Sequence, residues 1–206
     1  MQWTIPGTIV SGSRADADRI EALMRPLFLA GGLSLSQVAT VSGLEPHTIQ
    51  NWVKRGFLSP PVAKRYDMEQ VCRILNMNIL KGAVPLEQIV KLMAYLNGDL
   101  VDESDDLVDD TMLYFLFVRL AARAGHIGDT QAWDDALLEI TKDYTEPVPG
   151  AREKLVKVLK VMLTIWCANQ MKLQADKMIA EMEEKEKLKW KTMSFTHGLP
   201  RSRKKK

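Results

Sequence analysis

The chain has 206 residues, 46% hydrophobic and 26% charged, with a net charge of +2. That balance belongs to a globular protein with room for one large domain or two small ones, and it excludes a disordered or fibrous chain. No apolar run reaches the roughly 18 residues of a membrane span. The N-terminus also does not fit a secretion signal, because no basic residue precedes Ile9–Val10 and Arg14, Asp16, Asp18, Arg19 and Glu21 follow at once.

Residues 1–32 are expected to form an irregular arm followed by one helix. Pro6, Gly7, Gly12 and four Ser/Thr residues break the first part, while Ile20, Leu23, Met24 and Leu27 repeat at helical spacing from Ala15 to Gly31–Gly32. Short helices are predicted near Ser36–Thr40, Pro46–Arg55, Met68–Leu80 and Pro85–Leu96, each bounded by Gly, Pro or a small polar residue. An acidic linker is expected at 97–106, where seven of the twelve residues Asp99–Asp110 carry carboxylates. A helical part at 107–188 follows, with predicted helices at Leu107–Ala124, Thr130–Lys142 and Gly150–Leu188, and a basic tail at 189–206. Apart from a short wing around Pro60–Tyr66 no strand is predicted, so the expected fold class is all-α. Cys72 and Cys167 lie far apart in apolar helical patterns and read as reduced core thiols, which points to the cytoplasm.

The small net charge hides a strong asymmetry. Residues 31–82 carry six basic and three acidic side chains, 83–149 four and fourteen, and 150–206 fifteen and six. A polyanion would meet attractive surface in the second and last blocks and repulsion in the third.

The segment most informative about function runs from Leu35 to Trp52. Ala39, Gly43, Ile49 and Trp52 fall four, eight, fourteen and seventeen residues after Leu35. Two short helices crossing steeply need a small residue where they touch and a left-handed residue in the turn, which Ala39 and Gly43 supply. Val38, Leu44, Ile49 and Trp52 would form the shared core, and Pro46 suits the first turn of the second helix. With Ile49, Trp52 and Val53 inward, His47, Gln50, Asn51 and Lys54 share the outer face. Gln and Asn pair bidentately with adenine, and Lys meets guanine or phosphate. Thr48 and Arg55 at the edge, with Lys64, Arg65 and Tyr66 in the wing, are expected to touch the DNA backbone.

The order that follows is Arg55-Gly56-Phe57-Leu58-Ser59-Pro60, then Lys64-Arg65-Tyr66, then two helices around Lys81-Gly82 and Leu86-Glu87-Gln88-Ile89. Over Leu33–Met93 this resembles the DNA-binding head of MerR-type regulators, a winged helix-turn-helix. It is more similar still to an uncharacterised bacterial family, known as a domain of unknown function, that joins such a head to a helical C-terminal part. Two features depart from the MerR pattern: Gln50-Asn51-Trp52 stands where Arg-Tyr-Tyr is usual, and the wing lacks the Asn-Gly-Tyr-Arg-type turn. The resemblance implies a cytoplasmic, sequence-specific transcription regulator at 33–96 whose partner is double-stranded DNA. The helical part at 107–188 would serve dimerisation, effector binding or both.

Homodimerisation is implied by the MerR resemblance and is compatible with Val161, Ala168, Met171, Ala175, Met178 and Met182 along the last helix. An amphipathic helix packed on its own domain explains those residues equally well. Tyr114, Phe115, Phe117, Trp133 and Trp166 read as core, with an effector pocket as the alternative. The competing function is a protein–protein adaptor using the winged helix without DNA. No enzyme, cofactor or metal is expected: the histidines at 47, 126 and 197 are scattered, and no Gly-rich phosphate loop or zinc-spaced Cys/His cluster occurs. The acidic run lacks the glycine and terminal Glu of a calcium loop.

Overall fold

Two helices, α4 (Met68–Leu80) and α6 (Asp110–Arg123), are buried around most of their circumference, and they pack against each other within the unit Met1–Cys167. The computed structural model describes residues 3–98, 106–125 and 128–196, with side chains to residue 187. Around this pair lie α1 (Ile20–Met24), α2 (Leu35–Ser42), α3 (Pro46–Lys54), α5 (Leu86–Asn97), α7 (Thr130–Thr141) and the start of α8 (Ala151–Thr196). Two antiparallel strand pairs complete the described residues: β1 (Trp3–Thr4) with β2 (Ser11–Gly12), and β3 (Leu33–Ser34) with β4 (Arg65–Tyr66). The fold is mostly helical, in agreement with the all-α expectation. No described helix is long and apolar enough to cross a membrane.

Polar bonds tie the central pair as well as apolar contact. Arg73 Nη1 on α4 donates to Asp110 Oδ2 at 2.8 Å, with both side chains nearly buried, and Asn76 Nδ2 donates to the Asp110 carbonyl at 3.1 Å. Asp109 caps α6 by accepting from Met112 N at 2.7 Å. Residues 33–96 and 107–167, read as parts of separate domains from the sequence, share one core within a compact unit spanning Met1–Cys167, and residues 168–188 fall in the second unit. Residues 99–105, most of the expected acidic linker, lie outside the described residues, as do His126 and residues 197–206 of the expected basic tail. The helix expected to end at Leu188 continues to Thr196.

The N-terminal arm corrects the sequence reading. It is a hairpin, closed by Ile5 N donating to the Val10 carbonyl at 3.0 Å, and it is built into the core. Trp3 and Ile5 are buried, Tyr114 Oη donates to the Pro6 carbonyl at 3.0 Å, and Asn78 Nδ2 donates to the Gly7 carbonyl at 2.8 Å. A β-carbon at Gly7 (φ +76) would fall 2.6 Å from the Leu75 carbonyl oxygen, so the hairpin turn presses on α4 where only glycine fits.

The single helix expected from Ala15 is also corrected. It is a 3-10 turn at Arg14–Arg19, α1, and a second 3-10 turn at Arg25–Phe28. Pro26 has no N–H to continue the α-helical ladder. Leu23 and Leu27, expected on the buried stripe, are both more than half exposed.

In the first unit α8 buries Leu155, Val158, Leu159, Met162, Leu163 and Cys167. The second unit begins at Ala168. There residues 170–187 are exposed, and Met171, Met178 and Met182 are each more than half exposed.

Candidate functional site

The pair α2 and α3 is built by local signals. Ser34 accepts from Gln37 N at 3.4 Å while Gln37 Oε1 accepts from Ser34 N at 2.9 Å, a reciprocal cap that starts α2. Gly43 ends it in the left-handed region at φ 69, with its N–H donating to the Ala39 carbonyl at 2.9 Å. Ser42 Oγ donates to the Val38 carbonyl at 2.7 Å and accepts from Leu44 N at 3.3 Å, which satisfies the buried turn. Pro46 then occupies the first turn of α3. Val38, Leu44, Ile49 and Trp52 are all buried, as their spacing requires, and Ala39 and Val53 pack at the edge.

The outer face of α3 carries His47, Gln50, Asn51 and Lys54, all exposed, with Thr48 half-buried beside them. The four exposed side chains share the helical face opposite Ile49 and Trp52. Beneath the turn, Asn78 Nδ2 donates to the Ser42 carbonyl at 2.8 Å as well as to Gly7, so one amide on α4 pins both α2 and the N-terminal hairpin. Sequence reasoning missed Asn78. Its only signal is a second amide, after Asn76, within the apolar stretch Ile74–Leu80.

The segment after α3 turns back through a tight hairpin at Val62–Arg65, closed by Arg65 N donating to the Val62 carbonyl at 2.8 Å. Both central residues lie at positive φ, Ala63 at 49° and Lys64 at 62°. That is the geometry of a type I′ turn, which normally takes Asn-Gly. Here Ala-Lys adopts it, and the turn presents Lys64 to solvent. In β4 the strand alternation sends Arg65 outward, where Nη1 donates to the Gly32 carbonyl at 3.1 Å, and sends Tyr66 inward.

Tyr66 therefore does not belong to the outer surface. It is 3% exposed, it pairs with Leu33, and burial pushes its hydroxyl above the usual range. Arg55 is exposed, but it is not a free phosphate donor. Its Nη2 donates to Glu87 Oε1 on α5 at 2.7 Å, and its guanidinium lies 4.5 Å above the Phe57 ring. Glu87, thirty-two residues downstream, has no signature that would have paired it with Arg55 from sequence.

A cleft of about 560 Å³ opens beside the end of α3, lined by Arg55, Phe57, Gln70, Arg73, Asn97 and Asp110 among others. Arg73 Nε donates to the Phe57 carbonyl at 2.9 Å, so the side chain that joins α4 to α6 also holds the loop leaving α3. Burial raises the Asp110 carboxyl, and the adjoining guanidinium of Arg73 opposes that shift. Tyr114, Phe115, Phe117 and Trp133 are buried and Trp166 partly so, with Tyr114 edge-on to Phe115 and Phe117 edge-on to Trp166. They are packed core. Among the described residues no group of three or more His, Cys, Asp or Glu is placed to hold a metal ion.

Residues 32–117 match a family model described as "Domain of unknown function (DUF1836)". The chain is similar to the "Uncharacterized protein YkrK" of Bacillus subtilis (strain 168), 27% identical over 128 residues, or 60% of this chain and 54% of that protein. It therefore spans about half the length of that relative. No solved structure matches it.

Proposed function

We propose that the chain is a sequence-specific DNA-binding transcription regulator of MerR-like winged helix-turn-helix type, with α3 entering the major groove. The observation that carries this reading is the outer face of α3. His47, Gln50, Asn51 and Lys54 stand exposed on one side of a short helix whose other side, Ile49 and Trp52, is locked into the core. Gln50 and Asn51 are the side chains suited to adenine edges, and Lys54 suits guanine or phosphate. A rigid seat is what such readout needs, since a base-contacting side chain is useful only when its backbone is fixed.

The turn at Val62–Arg65 supports the same reading. Two non-glycine residues at positive φ cost conformational energy, and such strain tends to be kept where a side chain must be displayed. Lys64 and Arg65 are assigned to phosphates, with Thr48 at the groove edge.

The solvated stripe Met171, Met178 and Met182 on the last helix supports a homodimer. Two copies would then read two half-sites.

The test is selection from random double-stranded DNA by the full chain at low salt. A recovered motif, lost on changing Gln50, Asn51 and Lys54 to Ala with the circular dichroism unchanged, is the expected result. Recovery of no motif by the wild-type chain would replace this reading with a protein–protein adaptor.

A further inference from the structure

We propose that Glu87 is an internal stand-in for a DNA phosphate: its carboxylate holds the Arg55 guanidinium in the free protein and must release it when a duplex docks, so that Glu87 limits how tightly any DNA is held. The proposal rests on the DNA-reading role of α3 and assigns a further affinity-determining residue to that surface, from a different helix.

Three observations lead to it. Arg55 is the residue directly after α3, and its Nη2 is bonded to Glu87 Oε1 at 2.7 Å. A carboxylate and a phosphate present oxygens to a guanidinium in the same forked geometry, so one replaces the other without a change of donor. The Arg55 and Glu87 side chains are 41% and 61% exposed, so solvent and an incoming anion both reach the pair. Finally, the Phe57 ring supports the guanidinium plane from beneath at 4.5 Å, and the Phe57 carbonyl is itself held by Arg73. Arg55 thus keeps its place when its partner changes.

Arg55 also holds the Glu87 carboxyl below its usual range, through the hydrogen bond first, so Glu87 is ionised at neutral pH.

The effect on recognition follows from competition. An Arg that must leave a carboxylate gains less from a phosphate than a free one does. Phosphate attraction is blind to sequence, and reducing it leaves discrimination to Gln50 and Asn51. An exposed ion pair is weak, so the effect is several-fold rather than thousands-fold.

The experiment measures the affinity of the full chain at low salt for a duplex carrying the selected motif and for one of scrambled sequence. Wild type, E87Q, R55A and the double variant are compared, with circular dichroism as the folding control. E87Q is expected to tighten both duplexes about threefold to fivefold, and to do nothing in the R55A background. An equal gain with and without Arg55 would reduce Glu87 to a simple repulsive charge and overturn the proposal. A loss of affinity in E87Q would make Glu87 a residue that positions Arg55, and would overturn it too. A wild-type chain that binds neither duplex removes the DNA reading and this proposal together. That outcome is distinct from the two failures above, in which wild type binds.

Discussion

Ile9 stands in the space that a side chain at position 43 would need: a β-carbon on Gly43 would fall 2.4 Å from Ile9 Cγ2. Position 43 thus carries two separate constraints, its left-handed backbone and the contact from the N-terminal hairpin. Gly43→Ala is expected to destabilise the fold by more than the roughly 1–2 kcal/mol that the left-handed backbone alone costs a non-glycine residue. Adding Ile9→Ala should return the steric share and leave the backbone share. Urea unfolding of the two single variants and the double variant measures both, and full recovery in the double variant would contradict the backbone part.

The Arg73–Asp110 pair predicts an asymmetry between breaking and replacing. Asp110→Ala leaves a nearly buried guanidinium without its carboxylate and should cost about 3–5 kcal/mol. Replacing both partners by apolar residues, as in R73M with D110L, should cost clearly less. Arg73 also bonds the Phe57 carbonyl, so a part of the loss is expected to persist in the double variant. Denaturant titration decides, and equal losses would mean that the charge pair is not the source.

On the proposed DNA surface, single changes should separate into two kinds. Lys64→Ala should weaken binding to all sequences alike and reduce the salt slope by about one. Asn51→Ala should cost about 1–3 kcal/mol at one base position and leave the salt slope nearly unchanged. Affinity measured against salt on matched and mismatched duplexes separates them. If the Asn51 variant weakens every duplex equally, Asn51 does not read a base.

Met171, Met178 and Met182 predict self-association. Changing all three to Glu should convert a dimer to a monomer in sedimentation equilibrium, without loss of the circular dichroism of the first unit. A wild-type chain already monomeric at high concentration would remove the stripe as a dimer contact.

Cys72 is fully buried and free, and burial is the leading cause pushing its thiol well above the usual range; Cys167 is buried and shifted the same way. Neither thiol should react with an aromatic disulfide reagent near neutral pH while the protein is folded, and both should react in denaturant. Rapid labelling of the native chain would show that the core opens.

What was legible in the sequence was what local chemistry decides. The α2–α3 turn, the left-handed Gly43 and the outward face of α3 follow from spacing within eighteen residues, and α4 is expected near Met68–Leu80, where it lies, from the small polar residue and the glycine that flank it. The hairpin at the N-terminus was not legible, because it is held by partners far along the chain: Leu75 against Gly7, Asn78 on its carbonyl, Tyr114 on Pro6. Tyr66 was misplaced for a different reason. Side by side with Arg65 it reads as one cationic–aromatic patch, but a strand puts neighbours on opposite faces, and pairing with Leu33 fixed which one turned inward. Arg55 looked free because its partner lies on a helix whose approach no local signal announces.

The bond from Tyr114 to the carbonyl of Pro6 joins residues 108 positions apart. In chain order the hairpin comes far before α6, the helix that supplies this bond. The hairpin therefore lacks that bond until α6 has been made, even after its partners on α4, Leu75 and Asn78, are present. Closing so wide a loop is slow, so a chain halted before Tyr114 would carry α3 on an unfinished core.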